Sequence, residues 1–432
     1  MPRPGRRIML ERVHRPGAAR LARHLFARSG SVVHRPLGPG DDGGGGGGGV
    51  GGTVGVTWLR DTPPHARRGL PVLVIPGGPG LASAVPYRHW RSRAAALGID
   101  AVMVEHRGVG LSRLDDGGRG LPRSAVTVEA VVDDLAAALD DAGVGRAVVD
   151  GASYGTYLAQ AFAARHPERV AALVLDSPML SVVDDLAAVR AHRRRLLWDG
   201  GEPSTARAAA AVRELGQRAT TRELQTELTA VVALVHEFAG PEVLRRLVVA
   251  RGRGRLRWLW SQLAALGASE ASESVQRFVN EPDLVAGIAY GQLGFGQPPD
   301  GGPLDPQLIH AEAATSQPAF AGEPFDLVAA LRRTDVPVVV ISGDRDLTTP
   351  RPVAERVVSL ARNGLLVPLP GTGHSALEVH PEASLVVARA VADGDLDRLR
   401  DPATVARLPR RGLAHLGGTA LRAVVVAGTP SR

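Results

Sequence analysis

Apolar residues gather into short blocks punctuated by glycine and proline, and these blocks alternate with longer stretches of helical spacing. Thr53-Val54-Gly55-Val56-Thr57-Trp58-Leu59 alternates like a half-buried strand. Leu70–Ile75 is a continuous apolar run ending in Gly77-Gly78-Pro79-Gly80, and predicts a buried parallel strand entering a loop. Ile99–Val104 predicts a third strand, Val126–Leu139 a helix, and Arg146–Asp150 a fourth strand followed by a helix over Thr156–Ala164. Val170–Leu175 predicts a fifth strand. From about Met179 to Thr334 the alternation gives way to helical patterns rich in Ala, Leu and Arg, with a turn-rich break at Gln297–Pro303. Strand signals resume at Val336–Ile341 and Leu365–Leu369, with a helix over Val353–Ala361 between them. Alternating β and α on both sides of a helical block predict an α/β fold, a doubly wound and mostly parallel sheet with an inserted helical cap. The expected division is 1–52 as an N-terminal extension, 53–178 and 334–395 as the two parts of the core, 179–333 as the cap, and 396–432 as a helical, polar tail.

The extension ends in Gly43–Gly49, a seven-glycine run read as a flexible loop or hairpin insertion. With 432 residues, 44% of them hydrophobic and 22% charged, the chain has ample material for a core. The net charge is +7, yet all 51 basic residues are arginine, and Ala, Gly and Pro are abundant, as in a GC-rich coding sequence. The densest clusters, Arg193–Arg195 and Arg251–Arg257, carry no nucleic-acid-binding motif, so no nucleic-acid partner is expected. The absence of cysteine excludes disulfides, thiolate metal sites and a cysteine nucleophile. No apolar run approaches 18 residues, so no membrane span is expected. Arg20, Arg23 and Arg28 interrupt any leader-like apolar stretch, and a cytoplasmic location is the expectation. No cofactor and no metal are expected, and oligomeric state is not legible.

The chemistry centres on Gly151-Ala152-Ser153-Tyr154-Gly155, which stands between a predicted strand and a predicted helix. Gly-x-Ser-x-Gly in that context is a nucleophile elbow, a turn so tight that the positions two before and two after the serine have little room for side chains. A serine needs a histidine to take its proton and a carboxylate to orient that histidine. Gly343-Asp344-Arg345-Asp346 follows the sixth strand, and Gly371-Thr372-Gly373-His374-Ser375 follows the seventh. Among the thirteen histidines, His14, His34, His65 and His89 precede the serine, His166 reads as a helix cap, and His374, in a glycine loop after a strand, is taken as the base. Asp346 is preferred as the acid over Asp344, which reads as a turn residue. An acyl-transfer site also needs donors for a developing oxyanion. The N–H of Tyr154 is one, and the loop Pro76–Gly80 offers the other, with Gly78 the first choice and Gly77 the second.

Together these pieces resemble the α/β-hydrolase superfamily, and within it the proline iminopeptidase-like branch. Pro76-Gly77-Gly78-Pro79-Gly80 is similar to the branch's His-Gly-Gly-Pro-Gly, and Glu105-His106-Arg107-Gly108-Val109-Gly110-Leu111-Ser112 to its Asp-x-Arg-Gly-x-Gly-x-Ser. The elbow and the two late loops match as well, over roughly residues 53–178 and 334–395. The resemblance implies a Ser153–His374–Asp346 triad and an acyl-enzyme, with Arg107 and Ser112 in supporting roles. It implies a small peptide or ester as substrate: an aminopeptidase of the proline iminopeptidase type, or alternatively a carboxylesterase or lactonase. Relatives that remove N-terminal residues hold the free α-amine with acidic side chains, one of which often follows the triad aspartate. Here that position is Leu347, and Pro76 replaces the loop histidine. In the cap, Glu281, Glu312 and Glu323 are the candidate carboxylates, with Glu281 the one singled out for substrate binding.

Overall fold

The computed structural model describes residues 16–38, 52–61, 69–269, 274–409 and 413–429. Its eight strands are β1 (Gly30–Pro36), β2 (Thr53–Leu59), β3 (Val72–Ile75), β4 (Ala101–Val104), β5 (Ala147–Ala152), β6 (Val170–Asp176), β7 (Val338–Gly343) and β8 (Gly364–Leu369). They form one sheet in the order β1-β2-β4-β3-β5-β6-β7-β8. The pairs β1/β2 and β2/β4 are antiparallel and the rest are parallel. The order reverses at β3, whose neighbours are β4 on one side and β5 on the other, and a crevice opens beyond the carboxyl ends of strands at such a point.

The N-terminal extension is not separate from the sheet: its Gly30–Pro36 is β1 and pairs along its whole length with β2. Only Val32 and Val33 are apolar in its short run, so the partner strand, not the local pattern, makes it a strand. The seven-glycine run lies outside the described residues.

The central strands alternate between two packed faces. Leu73 and Ile75 of β3 join one core with Val131 and Leu135 of α3 (Val128–Asp141) and Leu158 and Phe162 of α4 (Tyr154–Arg165). Val72 and Val74 join the other with Trp90 of α2 (Arg88–Ala96) and Leu385 and Ala388 of α13 (Pro381–Ala392). With both faces covered, the strands are continuously apolar, which is why the sequence shows them as runs.

Between β6 and β7 the chain is helical: α5 (Val182–Arg194), α6 (Ala206–Gly216), α7 (Arg222–Ala239), α8 (Pro241–Gly252), α9 (Arg257–Ala268) and α10 (Leu327–Arg333) are its main elements. Val231, Val235, Leu244, Leu247 and Trp260 form a separate apolar core in this block. Two buried residues reach it from elsewhere. Leu347, next to Asp346, is buried there, a burial of about 2 kcal/mol that locks the loop after β7 to the cap. Val425 comes from α14 (Leu413–Gly428), which lies on α7 and α8. The C-terminal stretch, expected to be helical and polar, ends in a helix docked on the cap. Val425 is buried by that surface, while Leu416, Val424 and Val426 stay exposed. Two further helices, α11 (Arg351–Leu360) and α12 (Ala376–Val379), flank β8 and the His374 loop.

Candidate active site

Ser153 sits where β5 ends and α4 begins, with φ 49° and ψ −118°. That left-handed geometry is costly for a residue with a Cβ, and the surroundings hold it in place. A Cβ on Gly151 would lie 2.2 Å from the Gly155 carbonyl oxygen, and one on Gly155 would lie 2.1 Å from the Ile75 carbonyl oxygen. Neither position admits a side chain, as the sequence predicted. The Ser153 N–H donates to the Asp176 carbonyl (2.8 Å), and its own carbonyl accepts from Thr156 N–H (2.9 Å) and Oγ1 (2.6 Å).

His374 is carried on the loop after β8, and its Nε2 lies 2.8 Å from Ser153 Oγ. Its Nδ1 lies 3.0 Å from Asp346 Oδ2. An ionised Asp346 can only accept, so Nδ1 carries the proton and Nε2 is left to accept from the serine hydroxyl. Asp346 is buried, and its Oδ1 accepts the N–H groups of Thr348 (2.8 Å) and Thr349 (2.9 Å). Burial disfavours the charged forms of both partners. Against it, the Asp346 charge and hydrogen bond raise His374 above the ordinary imidazole value, with Glu237 and Glu378 acting the same way. His374 and Thr349 likewise hold Asp346 below the usual carboxylate range. Asp344 plays the turn role assigned to it, accepting Gly371 N–H at 2.7 Å.

The loop after β3 approaches the serine from the other side. A Cβ on Gly77 would come 3.4 Å from Ser153 Cβ, and the Gly77 N–H is directed at Glu378 Oε1 (3.4 Å). Gly78 has φ +126°, and a Cβ there would meet Gly80 N at 2.7 Å. Among the described residues, neither the Gly78 N–H nor the Tyr154 N–H has a hydrogen-bond partner in the chain. Both remain available to an incoming oxygen.

Glu378, His106 and Glu237 are neighbours that the sequence did not mark, beside Arg107 and Ser112, to which the resemblance gave supporting roles. Glu378 accepts from Tyr87 Oη (2.5 Å) and from the Ser375 hydroxyl, and so ties the His374 loop to the Gly77 loop. Burial raises its pKa above the usual carboxylate value. His106 Nδ1 bonds the Arg107 carbonyl (2.6 Å) and its Nε2 the Tyr154 hydroxyl (3.0 Å). Burial lowers its pKa to about 4, so it stays neutral and anchors the residue after the nucleophile position. Arg107 grips Asp134 through Nε (2.6 Å) and Nη2 (2.5 Å), and Ser112 Oγ accepts Thr57 N–H (2.9 Å). Both brace the loop after β4. Glu237, on α7, accepts Leu347 N–H at 2.8 Å and lies over Gly373. No periodic or motif signal marks Glu237 or Glu378, whose positions depend on helices meeting loops remote in sequence.

Glu281 is near the Gly80 loop through its backbone, whose N–H donates to the Gly80 carbonyl (2.8 Å). Its carboxylate is spent elsewhere. Oε1 accepts from Gly110 (3.2 Å) and Phe278 (2.7 Å) N–H groups, and Oε2 from Arg113 (3.0 Å) and Arg277 (2.8 Å). The structure thus brings Ser153, His374 and Asp346 together and commits Glu281 to fastening the cap segment onto the loop after β4. Glu312 is exposed, and Glu323 Oε2 accepts Val182 N–H at 3.1 Å.

The sequence matches the alpha/beta hydrolase fold over residues 71–381. The chain belongs to the alpha/beta hydrolase fold family. That membership carries the hydrolase reading of the sequence. Among solved structures it is similar to the proline iminopeptidase of Mycobacterium smegmatis, at 20% identity and TM-score 0.47, over 85% of this chain and 99% of that one. It is also similar to Est816, described as an N-acyl homoserine lactone degrading enzyme (18% identity, TM-score 0.43, 78% and 96% of the two chains). The esterase RhEst1 from Rhodococcus sp. ECU1013 is a third such structure (17%, 0.43, 78% and 94%). No helix among the described residues is long and apolar enough to cross a membrane.

Proposed function

We propose that the protein is a serine hydrolase working through an acyl-enzyme, with Ser153 as nucleophile. The observation that carries this reading is the unbroken chain from Ser153 Oγ to His374 Nε2 (2.8 Å) and from Nδ1 to Asp346 (3.0 Å), built on a serine with φ 49°. The Ser153 oxygen bonds to a substrate carbonyl carbon while its proton passes to His374 Nε2. The carbonyl electron pair moves onto oxygen, held by the N–H groups of Tyr154 and Gly78. His374 then returns the proton to the departing amine or alcohol as the C–N or C–O bond breaks. Water repeats the sequence on the acyl group, giving up its proton to His374 and releasing the acid and Ser153.

The first reading of substrate is a peptide N-terminus, as in an aminopeptidase of the proline iminopeptidase type. Glu237 supports it as a cap carboxylate carried to Leu347, the position where relatives bear an acid for the α-amine. The commitment of Glu281 to Arg113 and Arg277 favours the second reading, a carboxylesterase or lactonase.

A fluorophosphonate probe is expected to form one adduct on folded protein, absent in Ser153→Ala. Failure to label Ser153 overturns the hydrolase mechanism. Prolyl- or alanyl-arylamides are then expected to be cleaved only with a free α-amine. Equal turnover of their N-acetyl forms, or turnover of p-nitrophenyl esters alone, decides for the esterase.

A further inference from the structure

The helix α14 meets the cap along one side only. Gly418 and Val425 are buried on that side, and a Cβ on Gly418 would lie 2.1 Å from the Phe238 carbonyl oxygen. Leu416, Ala420, Ala423 and Ala427 fall at helical spacing on the opposite side and are exposed, with Val424 and Val426 exposed on its flanks. Leu416 is 64% exposed. Arg422 is the one charged residue between Leu413 and Gly428. A surface helix ordinarily turns a polar face to water, and one that is apolar on both sides calls for a second cover.

The end of α14 meets a segment of opposite character. A Cβ on Gly428 would lie 2.7 Å from Leu256 Cδ2, and Leu256 belongs to Arg251-Gly252-Arg253-Gly254-Arg255-Leu256-Arg257-Trp258, which runs from the end of α8 into α9. Arg253, Arg255 and Arg257 are exposed, and among the described residues their guanidinium groups make no ion pair. Trp258 beside them is 63% exposed. Arg422 is exposed as well and reaches only the Ala239 carbonyl, at 3.5 Å. Neither 251–269 nor 402–432 contains an acidic residue.

The chemistry of the two segments selects the cover. A second copy docked here offers these arginines only more arginine, since neither segment supplies a carboxylate. A nucleic acid satisfies the arginines but gives the aliphatic side of α14 nothing to pack on, because bases stack on aromatic rings. A phospholipid bilayer with anionic headgroups meets all of it: phosphates for the guanidinium groups, the interface for Trp258 and the acyl boundary for α14. With 16 residues α14 is too short to span a bilayer and suited to lie in its surface.

We propose that α14 and the Arg251–Trp258 segment attach the protein to the surface of an anionic phospholipid bilayer. The outer side of α14 enters the acyl boundary, and Arg253, Arg255, Arg257 and Arg422 engage the headgroup phosphates. The attachment is independent of the bond that Ser153 attacks.

Sedimentation of the full chain with vesicles of phosphatidylcholine alone, or with about a third phosphatidylglycerol, tests it. Binding is expected to the anionic vesicles only, and to weaken about tenfold or more between roughly 0.05 and 0.5 M salt, because exposed charges are screened. Arg253→Gln, Arg255→Gln and Arg257→Gln combined should weaken it about a hundredfold, at about fivefold for each arginine. Leu416→Glu and Trp258→Ala should each weaken it about tenfold. Both residues are exposed and stand on different helices, so either variant keeps the test decisive if the other fails to fold. Absence of binding to the anionic vesicles, equal binding to the neutral ones, or binding that survives these substitutions overturns the proposal. Dimerisation in gel filtration that Leu416→Glu abolishes, without vesicle binding, assigns the surface to a second copy and overturns it. Retention of a DNA duplex that needs the arginines but not Leu416, again without vesicle binding, overturns it in favour of a nucleic acid.

Discussion

The loop after β7 and the cap segment around Glu281 each bury a carboxylate, Asp346 at 1% exposure and Glu281 at 0%. Each carboxylate accepts two backbone N–H groups, from Thr348 and Thr349 in one case and from Gly110 and Phe278 in the other. Their remaining oxygens differ. Asp346 faces an imidazole that Ser153 leans on, whereas Glu281 faces Arg113 and Arg277. An arginine keeps its proton throughout the usable pH range, so its partner can only fasten. An imidazole exchanges its proton near neutrality, so its partner sets a pKa. Burial and charge do not distinguish the two carboxylates; the partner's ability to give up a proton does.

The largest expected effect breaks the first of these. Asp346→Asn is expected to lower kcat by about 10⁴-fold with the fold intact, since it leaves His374 in the wrong tautomer. It should also move the pH profile. His374 acts as a base only when neutral, and Asp346 raises its pKa. In the parent, therefore, kcat/KM should climb with pH through a value above the ordinary imidazole range. In the variant the climb should start at lower pH, because burial is then opposed only by Glu237 and Glu378. A residual-activity profile that does not shift contradicts the assignment.

Glu281→Ala should do the converse. It strands Arg113 and Arg277 and is expected to destabilise by about 3 kcal/mol in urea unfolding, while the folded protein turns over near the parent's rate. Loss of turnover without loss of stability would move Glu281 into the substrate site. Next in size is Gly155→Ala, whose methyl would sit 2.1 Å from the Ile75 carbonyl oxygen and should cost about 2 kcal/mol or more, read from the shift in urea midpoint. Smallest is the same change in the cap. Gly252→Ala on α8 meets nothing within 4 Å and should raise stability by about 0.5 kcal/mol. Equal costs at the two glycines would mean that the elbow is no tighter than an ordinary helix end.

The residues that meet at Ser153 were legible because each is announced locally. Gly151 and Gly155 stand where backbones approach too closely for a Cβ, Asp346 follows the fully buried run of β7, and His374 follows the short apolar run of the edge strand β8. Glu378, His106 and Glu237 were not legible. Each acts through a contact with a segment far away in the chain, at sequence separations of 301 for Glu378–Gly77 and 110 for Glu237–Leu347; nothing local marks Glu378 or Glu237, and His106 stands at a variable position of the Glu105–Ser112 motif. Glu281 went astray in part for the same reason: the remote Gly110 and Arg113, together with the nearby Arg277 and Phe278, decide what its carboxylate does.

Two kinds of constraint therefore divide this protein. Sequence alone determined the alternation of strands and helices, the strained turn and the order of serine, acid and base, because steric exclusion and side-chain periodicity act within a few residues. Tertiary structure alone decided which carboxylates are spent and which remain, that Leu347 and α14 complete the core of the cap, and that α14 meets the Arg251–Trp258 segment. Electrostatic partnership depends on distance in space, and a chain that folds back on itself across hundreds of residues does not write that distance into any short stretch of its sequence.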